Sequence, residues 1–170
     1  MRLLKKVSII SALVVFAGCA GYHLGPVNGS DAGEKTVEVL PFNNQTLQPR
    51  LGDSLTQAVR ERLQVDATYR LASGGQPDLV MSGVIRSYQR EPLGYLSKDS
   101  STPQNFRVTV TVHVIVREPA TGKLVMERDV KGHSLVNVGP DFASSERQAG
   151  PLLAQDTAQA IIAALAEGSW

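Results

Sequence analysis

From Phe106 to Arg117 the chain alternates without a break. Val108, Val110, Val112, Val114 and Val116 fall on one parity, and Thr109, Thr111, His113, Ile115 and Arg117 on the other. A period of two over such a length marks a β-strand with one buried face. β-branched residues at so many positions suit a pleated surface better than a helix. Whatever else this chain forms, it must supply a second strand beside this one and an apolar layer to cover the valines.

The second strand follows at once. Glu118 to Gly122 (EPATG) reads as a turn and Lys123 to Leu135 as the returning strand. Pairing Arg117 with Lys123 brings Val116 to Leu124, Val114 to Met126 and Val110 to Val130. On the opposite face Glu127, Asp129 and Lys131 then meet His113, Thr111 and Thr109. A one-residue slip would put Glu127 and Asp129 among the valines, which burial forbids. The hairpin is therefore expected to have a core face and a polar face.

The covering layer is legible too. Leu51, Leu55, Val59 and Leu63, with Ala58 beside them, form the buried stripe of a helix over about 50–64. Leu153, Thr157, Ala160, Ile161, Ala164 and Leu165 line one face of a final helix ended by Gly168. Pro151 is suited to its first position, and Ala143 to Ala149 can form a separate helical turn. Thr36 to Leu40 alternates and stops at Pro41, giving a first strand. Asp78 to Gln89 gives a central one, apolar on both faces at its start. Glu91 to Gln104 reads as a long connection and Val136 to Phe142 as irregular. The expected fold is an α+β two-layer sandwich: a small, mainly antiparallel four-stranded sheet with two helices packed on one face.

The N-terminus carries an address. Arg2, Lys5 and Lys6 precede an apolar stretch, Val7 to Ala17, and Ala17-Gly18 leads into Cys19, the sole cysteine. The apolar stretch is too short to span a bilayer as a helix, and the arrangement is that of a lipoprotein signal. Residues 1–18 are expected to be removed, Cys19 to carry the lipid, residues 19–34 to act as anchor and tether, and residues 35–170 to form one domain. With no second cysteine, no disulfide can form. Ala20 after the cysteine points to outer-membrane sorting, with the domain on the periplasmic side.

Chemistry is sparse. The chain has 17 basic and 16 acidic residues, with three of the basic ones in the leader, which is no nucleic-acid footprint. In the register above, His133 lies opposite Arg107, roughly 20 Å along the strand from His113, too far for a shared metal. His113 opposite Glu127 reads as a surface pair. Asp53, Asp66 and Asp78 read as cap or turn residues. No nucleophile elbow, P-loop or zincin motif occurs. No catalytic centre, metal or cofactor is expected. Function then rests on surfaces. One candidate is the polar sheet face with Thr109, Thr111, Asp129 and Lys131. Another is the apolar Leu93-Gly94-Tyr95-Leu96 segment flanked by Arg90, Lys98 and Arg107, where cations beside apolar groups suit an amphiphile with phosphates and acyl chains.

Cys19 followed by Gly21-Tyr22-His23-Leu24 resembles the start of the lipopolysaccharide-assembly lipoproteins, the LptE family. The likeness continues through Ser54-Leu55-Thr56-Gln57-Ala58-Val59-Arg60, the Asp78-Leu79 strand, the valine hairpin and the helix after Gln155-Asp156. That resemblance implies a plug inside an outer-membrane β-barrel translocon (LptD-like), helping the barrel assemble and lipopolysaccharide reach the cell surface. It also implies lipopolysaccharide as ligand for basic residues at one end of the sheet. Arg90, Lys98 and Arg107 are chosen for that role by position and chemistry. A different resemblance lies in Val37-Glu38-Val39-Leu40-Pro41-Phe42-Asn43-Asn44. It is similar to the opening strand of periplasmic lipoproteins that activate a peptidoglycan synthase or build secretion pores.

Overall fold

The computed structural model describes residues 33–66, 68–96, 99–137 and 142–167. The expected leader, Cys19, nearly all of the expected tether and Lys98 lie outside the described residues. The elements in order are β1 (Thr36–Val39), β2 (Asn43–Asn44), α1 (Leu51–Asp66), β3 (Arg70–Leu71), β4 (Leu79–Leu96), β5 (Asp99–Arg117), β6 (Leu124–Asn137) and α2 (Phe142–Ala166). The strands make one sheet in the order β3-β1-β4-β5-β6, and β2 pairs with β4 just beyond β1.

The α+β sandwich is as the sequence predicts, with both helices on one sheet face. The strand count is corrected from four to six, and the order is mixed. β1 runs parallel to β3 and β4, β2 runs parallel to β4, and the long strands are antiparallel. β2 and β3 are two residues each, too short to show a period. β3 lies parallel to β1 because α1 carries the chain back across the sheet.

The valine pattern does what it requires. Val108, Val110, Val112, Val114 and Val116 are all buried, under Leu153, Ile161 and Leu165 of α2 and beside Leu55, Val59 and Leu63 of α1. Each such burial contributes roughly 1.5–3 kcal/mol. Close approaches seat the helices. Phe42 is buried over Gly83, where a Cβ would overlap its ring, and its N–H donates to Thr56 Oγ1 at 2.9 Å. Arg60 donates to the Val39 carbonyl at 2.8 Å, fixing α1 to β1.

The hairpin register is corrected by two residues. Val116 pairs with Met126, Val112 with Val130, Val110 with Gly132, and His113 with Asp129. His133 therefore lies opposite Thr109, and Arg107 opposite Leu135. The turn closes one residue tighter than expected, with the Glu118 N–H donating to the Lys123 carbonyl at 2.9 Å and Gly122 at φ 72°. A shift between Val116 and Arg117 adds the second residue. A slip of two leaves every side chain on its face, so the face assignment holds where the register does not.

Two expected breaks are bridged. The segment 91–104 is no connection: β4 runs on to Leu96 and β5 begins at Asp99, pairing through shifts at Pro92, Gly94 and Tyr95. Backbone pairing with a neighbouring strand carries residues that show no alternation of their own. The helix likewise runs unbroken from Phe142 through Pro151 to Ala166, held on both sides of the proline by buried Ala149 and Leu153. Val136, expected to be irregular, is buried within β6.

Candidate functional site

The sheet face away from the helices carries the densest set of charges. On β5 it presents Arg107, Thr109, Thr111 and His113, and on β6 Glu127, Asp129, Lys131 and His133. His113 sits between two carboxylates. Its Nδ1 is 2.8 Å from Asp129 Oδ1 and its Nε2 is 3.3 Å from Glu127 Oε1. Arg86 of β4 reaches across β5 to Asp129, with Nη1 at 3.1 and 3.3 Å from the two oxygens. Three adjacent strands are thus tied on this face by one chain of polar contacts, Arg86–Asp129–His113–Glu127. The expected pairing of His113 with Glu127 is present, but Asp129 is the direct cross-strand partner.

Among the described residues no group of three or more His, Cys, Asp or Glu side chains is placed to hold a metal. Asp78 has a structural setting. It accepts from the Thr36 hydroxyl at 2.6 Å and the Thr36 N–H at 2.8 Å, stitching β1 to the start of β4. Those bonds hold its carboxyl below the usual carboxylate range.

The three cations chosen from the sequence do not form one cluster among the described residues. Lys98 lies outside them. Arg107 is exposed on the open face, between Glu91 of β4 and Leu135 of β6. Arg90 projects to the helix side, because an extra residue at Arg86 shifts the ladder between Ile85 and Ser87 and reverses the parity from Ser87 to Pro92. There Arg90 Nε donates to Glu146 Oε1 of α2 at 2.5 Å, and the Tyr88 hydroxyl donates to the same oxygen at 2.7 Å. The Arg90 guanidinium also stands 5.4 Å over the Tyr88 ring. Burial opposes the Arg90 charge, but Glu146 outweighs it and keeps the pKa above the ordinary arginine value. Burial first, then Glu146, pushes the Tyr88 hydroxyl well above a normal tyrosine.

Sequence reasoning missed Tyr88, Glu146 and Arg86. Glu146 is 56 residues from Arg90, and no local spacing announces such a contact. Leu93 is 46% exposed, and the side chains of Tyr95 and Leu96 lie outside the described residues. A groove runs between 45–48 and 86–90, where β4 continues past the end of β2. No helix among the described residues is long and apolar enough to cross a membrane.

A family model described as LptE, lipopolysaccharide-assembly, matches residues 34–167. No curated protein matches the sequence. Solved structures share the fold at low identity. The rare lipoprotein B from Shewanella oneidensis is 15% identical, with TM-score 0.50 over 77% of this chain and 93% of that one. The minor lipoprotein from Acinetobacter baumannii is 14% identical, with TM-score 0.50 over 78% and 92%. A hypothetical protein from Chlamydia trachomatis is 11% identical, with TM-score 0.55 over 78% and 95%.

Proposed function

We propose a function from one premise: the chain belongs to the LptE family of lipopolysaccharide-assembly proteins. It is an outer-membrane lipoprotein, anchored through Cys19 on the periplasmic side, that plugs a β-barrel translocon, helps it assemble, and assists delivery of lipopolysaccharide to the surface. It is not an enzyme and uses no cofactor. The observation that carries this reading is the family match across nearly the whole folded domain. The open sheet face supports it, since a hydrogen-bonding and charged plane that no helix covers among the described residues suits a protein that works by contact. The fold shared with two proteins named lipoproteins is in keeping with an anchor at Cys19.

Within this reading Arg107 and Lys98 bind phosphate groups of lipopolysaccharide, while Leu93 covers an acyl chain. A charge-assisted hydrogen bond there contributes about 1.5–3 kcal/mol. Arg90 is committed to Glu146 and takes part by giving up some of that contact. The strand 37–44, which also resembles other periplasmic lipoproteins, has a packing reason for its Val and Phe residues: Val37, Val39 and Phe42 are core.

Co-purification of the full-length chain tests the partner. A large outer-membrane barrel is expected; a peptidoglycan synthase in its place would overturn the reading. Cys19→Ser tests the anchor, and is expected to leave uncleaved, unlipidated precursor. For the ligand, Lys98→Glu with Arg107→Glu is expected to weaken lipopolysaccharide binding at least tenfold in a folded protein. Unchanged binding would move the ligand elsewhere on the surface.

A further inference from the structure

The strand β6 is the free margin of the sheet among the described residues. Its His133 N–H donates to Asp156 Oδ2 at 2.8 Å and so points away from β5. In an antiparallel ladder these directions alternate, so the N–H and C=O groups of Glu127, Asp129, Lys131 and Leu135 also point outward. Asp156 already takes the His133 N–H, so the stretch of this edge open to another strand is Glu127 to Lys131. Such an edge invites another strand unless its side chains repel one.

The side chains here do the reverse. Reading along the open face of β6 gives Glu127, Asp129, Lys131, His133 and Leu135, acids first and bases after. An antiparallel copy centred on Val130 sets Asp129 against Lys131, Glu127 against His133, and Leu135 against Val125, each pair twice by symmetry. Centring on Lys131 would oppose two lysines, and centring on Asp129 would oppose two aspartates. A one-residue shift would oppose outward with inward groups. Only the Val130-centred register among these puts unlike charges opposite at its central pair, Asp129 with Lys131.

Two further observations fit. Lys131 makes no ion pair among the described residues, whereas Asp129 is already held in place by Arg86 and His113. Leu135 and Leu152 are each 59% exposed. They lie at one end of the margin, because α2 runs antiparallel over β6, from Asp156 beside His133 to Glu167 beside Arg128. We infer that the occupant of this edge is a second copy of the chain, joined β6 to β6 in an antiparallel, two-fold pairing centred on Val130. This is a state of the chain free of other proteins and does not depend on the barrel partner.

The test is the mass of the full-length chain in detergent by sedimentation equilibrium, with detergent matched out. The parent is expected to be a reversible dimer at micromolar concentration. Lys131→Asp makes the central pair Asp against Asp, and Asp129→Lys makes it Lys against Lys. Each is expected to weaken self-association at least tenfold, while Lys131→Arg keeps it. An equimolar mixture of the two charge variants restores both pairs and is expected to dimerise. Circular dichroism verifies folding, and if Asp129→Lys does not fold, Lys131→Asp against Lys131→Arg decides alone. A monomeric parent, a dimer indifferent to Lys131→Asp, or a mixture of folded variants that stays monomeric would overturn the inference.

Discussion

Thr157 of α2 stands where a side chain on Gly132 of β6 would be. A Cβ at Gly132 would come within 2.7 Å of the Thr157 Cα and overlap its hydroxyl. Thr157 is fully buried, and its Oγ1 donates to the Leu153 carbonyl at 2.6 Å, so the threonine cannot turn away without stranding a polar group. This is the closest approach among the described glycines, and it sets the height of α2 above the sheet.

Gly132→Ala should therefore destabilise the fold by about 1–3 kcal/mol, as overpacking against backbone does. Chemical denaturation of parent and variant measures it. A change of a few tenths would mean that α2 shifts freely on β6.

The two faces of β5 should respond oppositely to charge. Val112 is fully buried, so Val112→Asp should cost several kcal/mol or prevent folding. Thr111 is on the open face opposite Lys131, so Thr111→Asp should be near neutral or slightly stabilising. Thermal unfolding of the two variants compares them directly.

That second expectation shows what the sequence could and could not say. Alternation fixed which of Val112 and Thr111 is buried, because burial depends on parity. It could not choose Lys131 over Asp129 as the neighbour of Thr111, because registers two apart have identical faces. The choice is made by the Glu118–Lys123 closure and the irregularity beside Arg117. The helix stripes of Leu51 to Leu63 and Leu153 to Leu165 were legible for the same reason as the valines. Pro92, Gly94 and Pro151 misled because their local preferences are overridden by a paired strand and a packed helix. For the candidate site, Arg107 is on the open face as its parity in β5 implies. Arg90 is not, because a single extra residue at Arg86 turns it towards α2.

Acid should weaken the seam between β1 and β4. The Asp78 carboxylate accepts two bonds from Thr36, and its pKa is lowered on folding. A lowered folded value means stability that is fully present above the unfolded carboxylate range and is lost as pH falls through the folded value. Asp78→Asn should lower the parent's stability at neutral pH and flatten its decline in acid. The check is a series of denaturation curves from neutral to acidic pH. An unchanged slope in the variant would assign the acid response to other carboxylates.

The Tyr88–Glu146–Arg90 cluster decides whether Arg90 is chiefly a structural cation. Glu146 is buried and receives both donors on one oxygen, and it lies on the part of α2 before Pro151. Glu146→Gln should cost about 1–3 kcal/mol, because a neutral amide replaces the acceptor shared by a cation and a hydroxyl. Tyr88→Phe should cost about 1 kcal/mol. The raised Tyr88 pKa has its own signature. Its stabilising effect is complete below the ordinary tyrosine value of about 10 and fades as pH rises above it, since unfolding then releases a proton. Ultraviolet titration of the folded chain should show a component that resists ionisation, and Tyr88→Phe should reduce it by one tyrosine. If Arg90→Ala leaves stability and that titration unchanged yet abolishes lipopolysaccharide binding, Arg90 serves the ligand rather than the helix. The ion pair with Glu146 predicts the opposite: lost stability, an altered Tyr88 titration, and binding reduced less than by charge reversal at Lys98 and Arg107.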